Sequence, residues 1–363
     1  MKHPIKKLSY TTIAAGITLC TASYSCKSRS QRESPLQVTY GMPLDESTPA
    51  SRAVLMLQTL DATGKPTGYF SSGSLIASNL VLTCGHCVAT TVNTPERLTV
   101  GTLGKAARIV LAPGFWEAMA QVKAIEKAMI AAQTSGNTQK LNEAEALGTA
   151  ALDRLSEVDL GIVILALPEV SQQNSPEPRP APDTYLRLGN SPPLAAQTIA
   201  TVGFGDDNSE VFQTVRIRRH GTAFKRIGFN VISAVGAGRL SFDSPVPIAP
   251  ISQNISESIS VVTNDAFRAG LGHGDSGGPV LRCLTGARKI QQCDPEILAV
   301  NQSSRKNDGS TNNFTTKNFA TLVTTAMARE LMAMVSTVVP ESSSPTKPDE
   351  STTNPIPTEA SQQ

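Results

Sequence analysis

A glycine-rich run around one serine is the part of the sequence best suited to chemistry. It reads Gly272-His273-Gly274-Asp275-Ser276-Gly277-Gly278-Pro279-Val280. Glycines on both sides of Ser276 let the backbone turn tightly and point successive N–H groups at one spot, as an oxyanion hole requires. A serine hydroxyl becomes a nucleophile near neutral pH only when a base accepts its proton. The run therefore predicts a nucleophilic Ser276 and an imidazole supplied from elsewhere in the chain.

Four histidines are available as that base, and they stand at positions 3, 86, 220 and 273. The serine run also fits the Gly-x-Ser-x-Gly elbow of α/β-hydrolases, but that fold places its histidine after the serine. No histidine follows Ser276, so the elbow interpretation fails. His86 comes directly after the apolar run that ends at Leu82, where a strand end can display an active-site side chain. His220 lies among arginines, which favours a surface position, so His86 is the predicted base.

A carboxylate must orient that imidazole and stabilise its charged form. Asp159 opens the run Asp159-Leu160-Gly161-Ile162-Val163-Ile164-Leu165, so it is a single acid entering an apolar strand. Because an unpaired buried carboxylate is costly, a hydrogen-bonded partner is expected. Read alone, Asp159 also fits a helix cap or a turn, and Ser276 a structural turn serine. The chain order His86, Asp159, Ser276 favours the catalytic interpretation.

Short strand-type runs separated by Gly, Pro, Asn and Ser surround these residues. The first set covers 53–59, 73–83, 98–100, 108–111 and 161–167, and the second covers 198–204, 211–217, 232–235, 279–281, 297–300 and 319–323. Many short strands are typical of a barrel or a sandwich. Between the first-set strands, apolar residues recur at helical spacing from 115 to 155, with a break at 134–138, which predicts an inserted helical hairpin. A proline-rich linker is expected over 169–193, a C-terminal helix over 324–338, and a disordered tail over 339–363.

Composition excludes several classes of protein. Of 363 residues, 40% are apolar and 17% are charged, which is too apolar for a fully disordered chain and too weakly charged for a coiled coil. The net charge of +2 provides no field for nucleic acid. Beyond the N-terminus, Gly, Ser, Thr and Asn interrupt every apolar stretch before the ~20 residues needed to span a bilayer. A soluble monomer is expected.

The first 26 residues have the layout of an export signal. Lysines at positions 2, 6 and 7 precede an uncharged stretch from Leu8 to Tyr24. Cys26 matches the lipidated first residue of a bacterial lipoprotein, although Ser23 stands where the lipobox usually has Leu. Two outcomes therefore stay open: secretion into the periplasm or medium, or anchoring to a membrane through a lipid on Cys26. Residues 27–37 are polar and are interpreted as a short pro-segment.

Export makes the cysteine count interpretable, because disulfides persist in oxidising compartments. Outside the signal region the chain has four cysteines, which allow three pairings: Cys84, Cys87, Cys283 and Cys293. We favour the two local pairs, since Cys283 and Cys293 flank a turn-like run between apolar segments. The spacing of Cys84 and Cys87 is also that of a zinc ligand pair or a redox pair, and that alternative stays open beside the disulfide. The catalytic interpretation needs no metal and no cofactor.

The chain resembles the chymotrypsin/trypsin family of serine endopeptidases. The resemblance lies in Thr83-Cys84-Gly85-His86-Cys87, Asp159-Leu160-Gly161-Ile162 and Gly274-Asp275-Ser276-Gly277-Gly278-Pro279, with support from Gly73-Ser74-Leu75-Ile76 and Gly203-Phe204-Gly205. It implies an all-β fold of two antiparallel six-stranded barrels over 38–338, with lobes at about 38–168 and 194–323 and a C-terminal helix. It also implies a triad of His86, Asp159 and Ser276 in the cleft, with the N–H groups of Gly274 and Ser276 as oxyanion hole.

Two further roles follow from the resemblance. Cleavage before Val38 would free an apolar N-terminus to pair with Asp275, so the precursor is expected to be inactive. Gly270, six positions before the nucleophile, falls at the base of the specificity pocket beside Leu271, which predicts cleavage after uncharged rather than Arg or Lys residues. The helical insertion lengthens the interval from His86 to Asp159. The usual partner of Cys87 would stand at Ser71, and the cysteine expected before the nucleophile is Gly272.

These features predict an exported serine endopeptidase that works through an acyl-enzyme. Two alternatives stay open, which are a catalytically silent binding module and an esterase on the same scaffold. Acyl transfer from an ester to water uses the same groups as peptide hydrolysis.

Overall fold

The computed structural model describes residues 42–44, 47–166, 184–205, 225–236, 238–245, 271, 274–306 and 315–338. The predicted signal, pro-segment and C-terminal tail lie outside these residues, as do Cys26, Val38, His220, Gly270, Gly272 and His273. Among the helices in the described part of the chain, each is too short or too polar to cross a membrane.

The first lobe is a closed antiparallel barrel of six strands in the order β2-β3-β4-β7-β6-β5. Its strands are β2 (Val54–Leu60), β3 (Pro66–Ala77), β4 (Leu80–Thr83), β5 (Leu98–Val100), β6 (Gly104–Leu111) and β7 (Gly161–Leu165). All five residues of β7 are buried, which explains its unbroken apolar sequence. The single run predicted over 73–83 is in fact parts of two strands, because Ser78 and Asn79 form a turn between β3 and β4.

The second lobe is a nine-stranded sheet in the order β1-β10-β9-β13-β14-β15-β12-β11, with β8 added in parallel beside β14. Its strands are β1 (Met42–Pro43), β8 (Arg187–Leu188), β9 (Thr198–Gly203), β10 (Arg226–Val231), β11 (Ala234–Val235), β12 (Arg239–Pro245), β13 (Pro279–Cys283), β14 (Cys293–Lys306) and β15 (Thr315–Leu322). The sheet path is open over the described strands, and the segments 206–224 and 246–270 that connect some of them lie outside the description.

Five α-helices lie within the described residues. They are α1 (Pro49–Arg52), α2 (Gly85–Val88), α3 (Phe115–Thr134), α4 (Thr138–Val158) and α5 (Ala326–Val338), and short 3₁₀ turns cover Ala89–Thr91, Pro95–Arg97 and Ile290–Gln292. The side chain of Asn137 caps α4 by accepting the N–H of Lys140 at 3.0 Å. Helices α3 and α4 pair through small and apolar side chains such as Val122, Met129 and Ala151. They form a helical hairpin between β6 and β7 of the first lobe.

The predicted fold class is confirmed. The described chain is mostly β, with one closed six-stranded barrel, a second β lobe, an inserted helical hairpin and a C-terminal helix. The break in the hairpin falls where the sequence places it, and α4 runs three residues beyond the predicted end at Leu155. Both local cysteine pairs are joined as disulfides, Cys84 to Cys87 and Cys283 to Cys293. The second of these joins residues that face each other on β13 and β14.

Candidate active site

The register of two neighbouring strands brings His86 and Asp159 together. Strands β4 and β7 are antiparallel, and the last residue of β4, Thr83, pairs with the first residue of β7, Gly161. The chain therefore leaves β4 and enters β7 at the same end of the barrel. His86 follows Thr83 within the first turn of α2, and Asp159 precedes Gly161 directly after α4. Two residues far apart in sequence thus meet because of one strand pairing.

The carboxylate of Asp159 is fully buried, and among the described residues His86 is its hydrogen-bond partner. Nδ1 of the imidazole lies 2.7 Å from Oδ2, and the backbone N–H of His86 donates to Oδ1 at 2.8 Å. These two hydrogen bonds agree with the expectation from the sequence that the buried acid has a hydrogen-bonded partner. Because a carboxylate can only accept, Nδ1 carries the proton and the lone pair of the neutral ring lies on Nε2. This is the tautomer that a general base requires.

The charge of Asp159 also sets the basicity of the ring. Burial lowers the pKa of His86, but the negative charge of Asp159 and its hydrogen bond together raise it more, so the pKa lies above its ordinary value of 6.5. The side chain is 12% exposed. His86 therefore has the orientation and the proton affinity of a base, with one edge left to solvent.

The inserted helical hairpin packs directly against this pair. Phe115, the first residue of α3, is fully buried, and a Cβ added at Gly85 would lie 2.7 Å from its ring and 3.2 Å from Oδ1 of Asp159. Only a glycine at position 85 leaves room for the phenyl ring. Gly85 and the first residue of the insertion therefore pack together beneath the carboxylate.

The other end of the hairpin is bonded to the second lobe. Thr321 on β15 donates its hydroxyl to the carbonyl of Ser156 at 2.7 Å, in a buried contact. Arg239 on β12 forms an ion pair with Asp153, which is partly exposed. Both partners on α4 lie in its last two turns, immediately before Asp159. The position of the carboxylate is therefore tied to both lobes.

The loop that carries Ser276 is bonded across to the first lobe. The carbonyl of Ser276 accepts the N–H of Ser72 on β3 at 2.8 Å, and the hydroxyl of Ser72 donates to the carbonyl of Gly274 at 2.8 Å. The same hydroxyl accepts the N–H of Phe204 at 3.0 Å. Gly277 has a φ of +88°, and a Cβ there would collide with the carbonyl of Ser72. The loop thus lies close against β3 through backbone contacts that only glycine permits.

The hydroxyl of Ser276 is not hydrogen-bonded to His86 in this structure. It donates to the carbonyl of Gln302 on β14 at 2.9 Å. Nε2 of His86 instead faces the two sulfur atoms of the neighbouring disulfide, 3.8 Å from Sγ of Cys84 and 3.7 Å from Sγ of Cys87. The structure therefore joins His86 with Asp159 and does not join Ser276 with His86.

The backbone of the serine loop offers two unused donors. The N–H of Gly277 donates to the carbonyl of Asn301 at 2.8 Å, and Gly278 likewise donates within the loop. The N–H groups of Gly274 and Ser276 donate no hydrogen bond within the part of the chain that the structure describes. Gly274 has a φ of +96°, which turns the chain at this point. Two such donors, one on each side of Asp275, are candidates to bind a negatively charged oxygen.

Of the residues predicted for activation and specificity, the structure describes Asp275 and Leu271. Asp275 is fully buried, and its Oδ1 accepts the N–H of Gly205 at 2.8 Å. Its predicted partner Val38 lies outside the described residues, as does Gly270. Leu271 is buried in the core of the second lobe, and its N–H donates to Oδ1 of Asn318 at 2.9 Å. The side chain of Leu271 thus packs in the core, and its role in a specificity pocket stays a prediction.

Sequence reasoning missed Ser72 and Gln302. The hydroxyl of Ser72 is fully buried and bonds to Gly274 of the serine loop and to Phe204, and the backbone carbonyl of Gln302 accepts a hydrogen bond from the hydroxyl of Ser276. Ser72 stands in the run Ser71-Ser72-Gly73-Ser74, whose density of small polar residues in a buried strand was a usable signal. A backbone carbonyl leaves no signal in the sequence.

Comparison with known proteins finds similar solved structures but no matching family model or curated protein. A solved structure of a Glu endopeptidase in complex with MPD is similar, at 14% identity over 82% of this chain and 96% of that one, with a TM-score of 0.42. At this distance the likeness carries no statement about the activity of this chain.

Proposed function

We propose that the protein is a serine endopeptidase. The observation that carries the proposal is the buried pair of His86 and Asp159, in which the carboxylate fixes the tautomer of the ring and raises its pKa. Both oxygens of the buried carboxylate bond to this one partly exposed histidine, so the ring is held in a fixed orientation. The serine loop, bonded to the strand beside this pair, supplies the nucleophile.

In the proposed reaction, Oγ of Ser276 attacks the carbonyl carbon of the scissile peptide bond while Nε2 of His86 takes the hydroxyl proton. Asp159 stabilises the imidazolium, and the N–H groups of Gly274 and Ser276 bind the oxyanion. The imidazolium then gives its proton to the leaving amine, which leaves an acyl-enzyme. Water repeats the sequence, and the free acid and the serine are released.

The hydrogen bond from Ser276 to Gln302 must be exchanged before this reaction. Rotation about the Cα–Cβ bond of Ser276 redirects the hydroxyl, and substrate binding is the proposed cause because Gln302 lies on β14 beside the loop. Catalytic hydrogen bonds are often formed only in the complex with substrate. This observation also favours a second candidate, a catalytically silent binding module in which the serine stays bonded to Gln302.

Turnover assays separate the candidates. Peptides with uncharged residues before the cut, matched esters and a denatured proteome are incubated with the wild type and with Ser276→Ala. Peptide cleavage by the wild type alone supports the endopeptidase, whereas ester cleavage without peptide cleavage supports an esterase. Failure to turn over any substrate, after cleavage near Gln37-Val38, would leave the binding module as the better explanation.

We also propose export, since the N-terminal layout is that of a signal and both described cysteine pairs are disulfides. Cleavage before Val38 and a preference for uncharged residues at the cut belong to the same proposal.

A further inference from the structure

The sulfur atoms around the proposed base form a cluster that the peptidase mechanism does not use. Cys84 and Cys87 flank His86 in the sequence. Within the described residues, the two sulfur atoms and a ring nitrogen of His86 lie within 4.8 Å of one another. The cysteines are buried, and the partly exposed ring covers them. Two cysteines separated by two residues are a common pair of zinc ligands.

The spacing of these atoms matches a tetrahedral metal centre. Bonds of about 2.3 Å from zinc to sulfur and about 2.0 Å to nitrogen, at tetrahedral angles, place each sulfur about 3.5 Å from the nitrogen. Nε2 of His86 lies 3.8 Å from Sγ of Cys84 and 3.7 Å from Sγ of Cys87. Two of the three distances between ligand atoms are therefore within about 0.3 Å of the required length. Only the distance between the sulfurs must increase, from a bond to about 3.8 Å.

The far side of the ring carries the support that a metal-bound histidine needs. Histidines that bind zinc through one nitrogen commonly donate the other N–H to a carboxylate, which fixes the ring and strengthens the ligand. Nδ1 of His86 donates to Asp159 at 2.7 Å. The interaction that prepares Nε2 as a base therefore prepares the same atom as a ligand.

We propose that reduction of the Cys84–Cys87 disulfide converts the active site into a site for Zn²⁺ or a similar soft divalent cation, which inhibits the enzyme. A dithiol reduces the disulfide to two thiols and is itself oxidised to a cyclic disulfide. The cation then binds two thiolates and Nε2 of His86, and two protons leave the thiols. The fourth position is open to water. The inhibition, though not the binding, rests on the proposed function.

Inhibition follows because one lone pair cannot serve two partners. Nε2 bonded to a cation cannot accept the proton of Ser276, so the metal-bound form is inactive. The oxidised form has no thiolates and leaves Nε2 available. An exported chain would thus be inactive in a reducing compartment that contains zinc and would become active once the disulfide forms.

The test uses the full chain in a background that retains only this cysteine pair, Cys20→Ser/Cys26→Ser/Cys283→Ser/Cys293→Ser. A trialkylphosphine serves as reductant because dithiols bind zinc; it becomes the phosphine oxide, with water supplying the oxygen and the two protons. Zn²⁺ is titrated against a chromophoric chelator, and Co²⁺ reports thiolate ligands through its charge-transfer band. One equivalent is expected in the reduced protein and none in the oxidised protein.

Three variants in that background assign the ligands. Cys84→Ser/Cys87→Ser is expected to lose the cobalt band and the zinc equivalent, and Asp159→Asn to bind about 10- to 100-fold more weakly. Ser276→Ala is expected to bind like the background. If the background does not fold, reduced wild type is compared with Cys84→Ser in the natural chain, where a difference of one equivalent is expected.

Binding by the oxidised protein, or equal binding after loss of both cysteines, would overturn the proposal, as would failure of the reduced protein to bind. In the reduced protein, Zn²⁺ is expected to abolish labelling of Ser276 by a fluorophosphonate, and a chelator to restore it. Undiminished labelling with one zinc bound would refute the inhibition. If Ser276 is never labelled while zinc binding still follows the cysteines, the peptidase function fails and the metal site stands.

Discussion

Replacement of Gly85 by alanine tests how the inserted hairpin supports the candidate triad. The new Cβ would lie 2.7 Å from two carbon atoms of the Phe115 ring and 3.2 Å from Oδ1 of Asp159. A real Cβ does not approach carbon this closely, so one group must move. Phe115 is fully buried and begins a long helix, so it has little freedom to move aside.

The expected cost follows from overpacking. An extra methyl group in a filled core costs about 1–3 kcal/mol. For a chain of this size, the melting temperature falls by about 2–4 °C for each kcal/mol. The strain also bears on Asp159, and a displacement of about 1 Å in a catalytic group can lower turnover by about 100-fold. We therefore expect Gly85→Ala to lower both stability and kcat.

Differential scanning calorimetry and peptide hydrolysis measure the two effects. Gly236→Ala is a matched control, because a Cβ there meets nothing within 4 Å. Gly148→Ala is expected to act in the opposite direction, since it lies inside α4 with ordinary contacts and alanine favours a helix by about 0.5–1 kcal/mol. Phe115→Leu combined with Gly85→Ala should be less destabilising than the sum of the two single changes.

The reasoning would be refuted by a Gly85→Ala protein that melts with the wild type and keeps its kcat. Additive effects of Gly85→Ala and Phe115→Leu would also contradict it, because residues that do not touch should not couple.

Four further experiments test other parts of the site. Asp159→Asn should lower kcat by about 10⁴-fold with little change in KM, because the ring loses its fixed tautomer. A much smaller loss of kcat in steady-state kinetics would show that Asp159 is not part of the triad. Because the base must be neutral and the pKa of His86 lies above 6.5, kcat/KM should rise with pH to a plateau with a midpoint above 6.5, and a midpoint below it would contradict the assignment. Thr321→Val should cost about 0.5–1.5 kcal/mol in chemical denaturation through the lost bond to Ser156 and should lower kcat, whereas unchanged kcat would show that this link does not position the acid. Ser72→Ala removes the hydrogen-bond partner of the Gly274 carbonyl and of the Phe204 N–H and should lower the stability by about 1–3 kcal/mol for each group. Thermal melting measures this loss, and unchanged stability would mean that water replaces the hydroxyl.

Local sequence pattern predicted the elements that are regular. Helical periodicity located the hairpin and its break, and the short turn between Cys283 and Cys293 predicted their pairing, because both depend on residues close in sequence. The turn at Ser78-Asn79 was missed, since the apolar run continues on both sides of it. His86 and Asp159 were predicted as partners from chemistry, and the pairing of β4 with β7 supplies the physical reason for their contact.

Contacts that depend on the register of distant strands could not be predicted. The packing of Phe115 on Gly85, the bonds of Ser72 to the serine loop and the link from Thr321 to α4 each join residues from separate elements. No local period encodes them, because the barrel geometry decides which side chains meet. The sequence singles out Ser276 as the candidate nucleophile, but no pattern in it indicates that the hydroxyl donates to the carbonyl of Gln302.

Covalent labelling tests the central claim most directly. An active-site fluorophosphonate is applied to the oxidised protein after N-terminal processing, and the modified peptide is identified by mass spectrometry. Our account predicts a single adduct on Oγ of Ser276, slow labelling in His86→Ala, and no adduct in Ser276→Ala. Equal labelling of wild type and Ser276→Ala, or a wild type whose Ser276 stays unmodified, would contradict it.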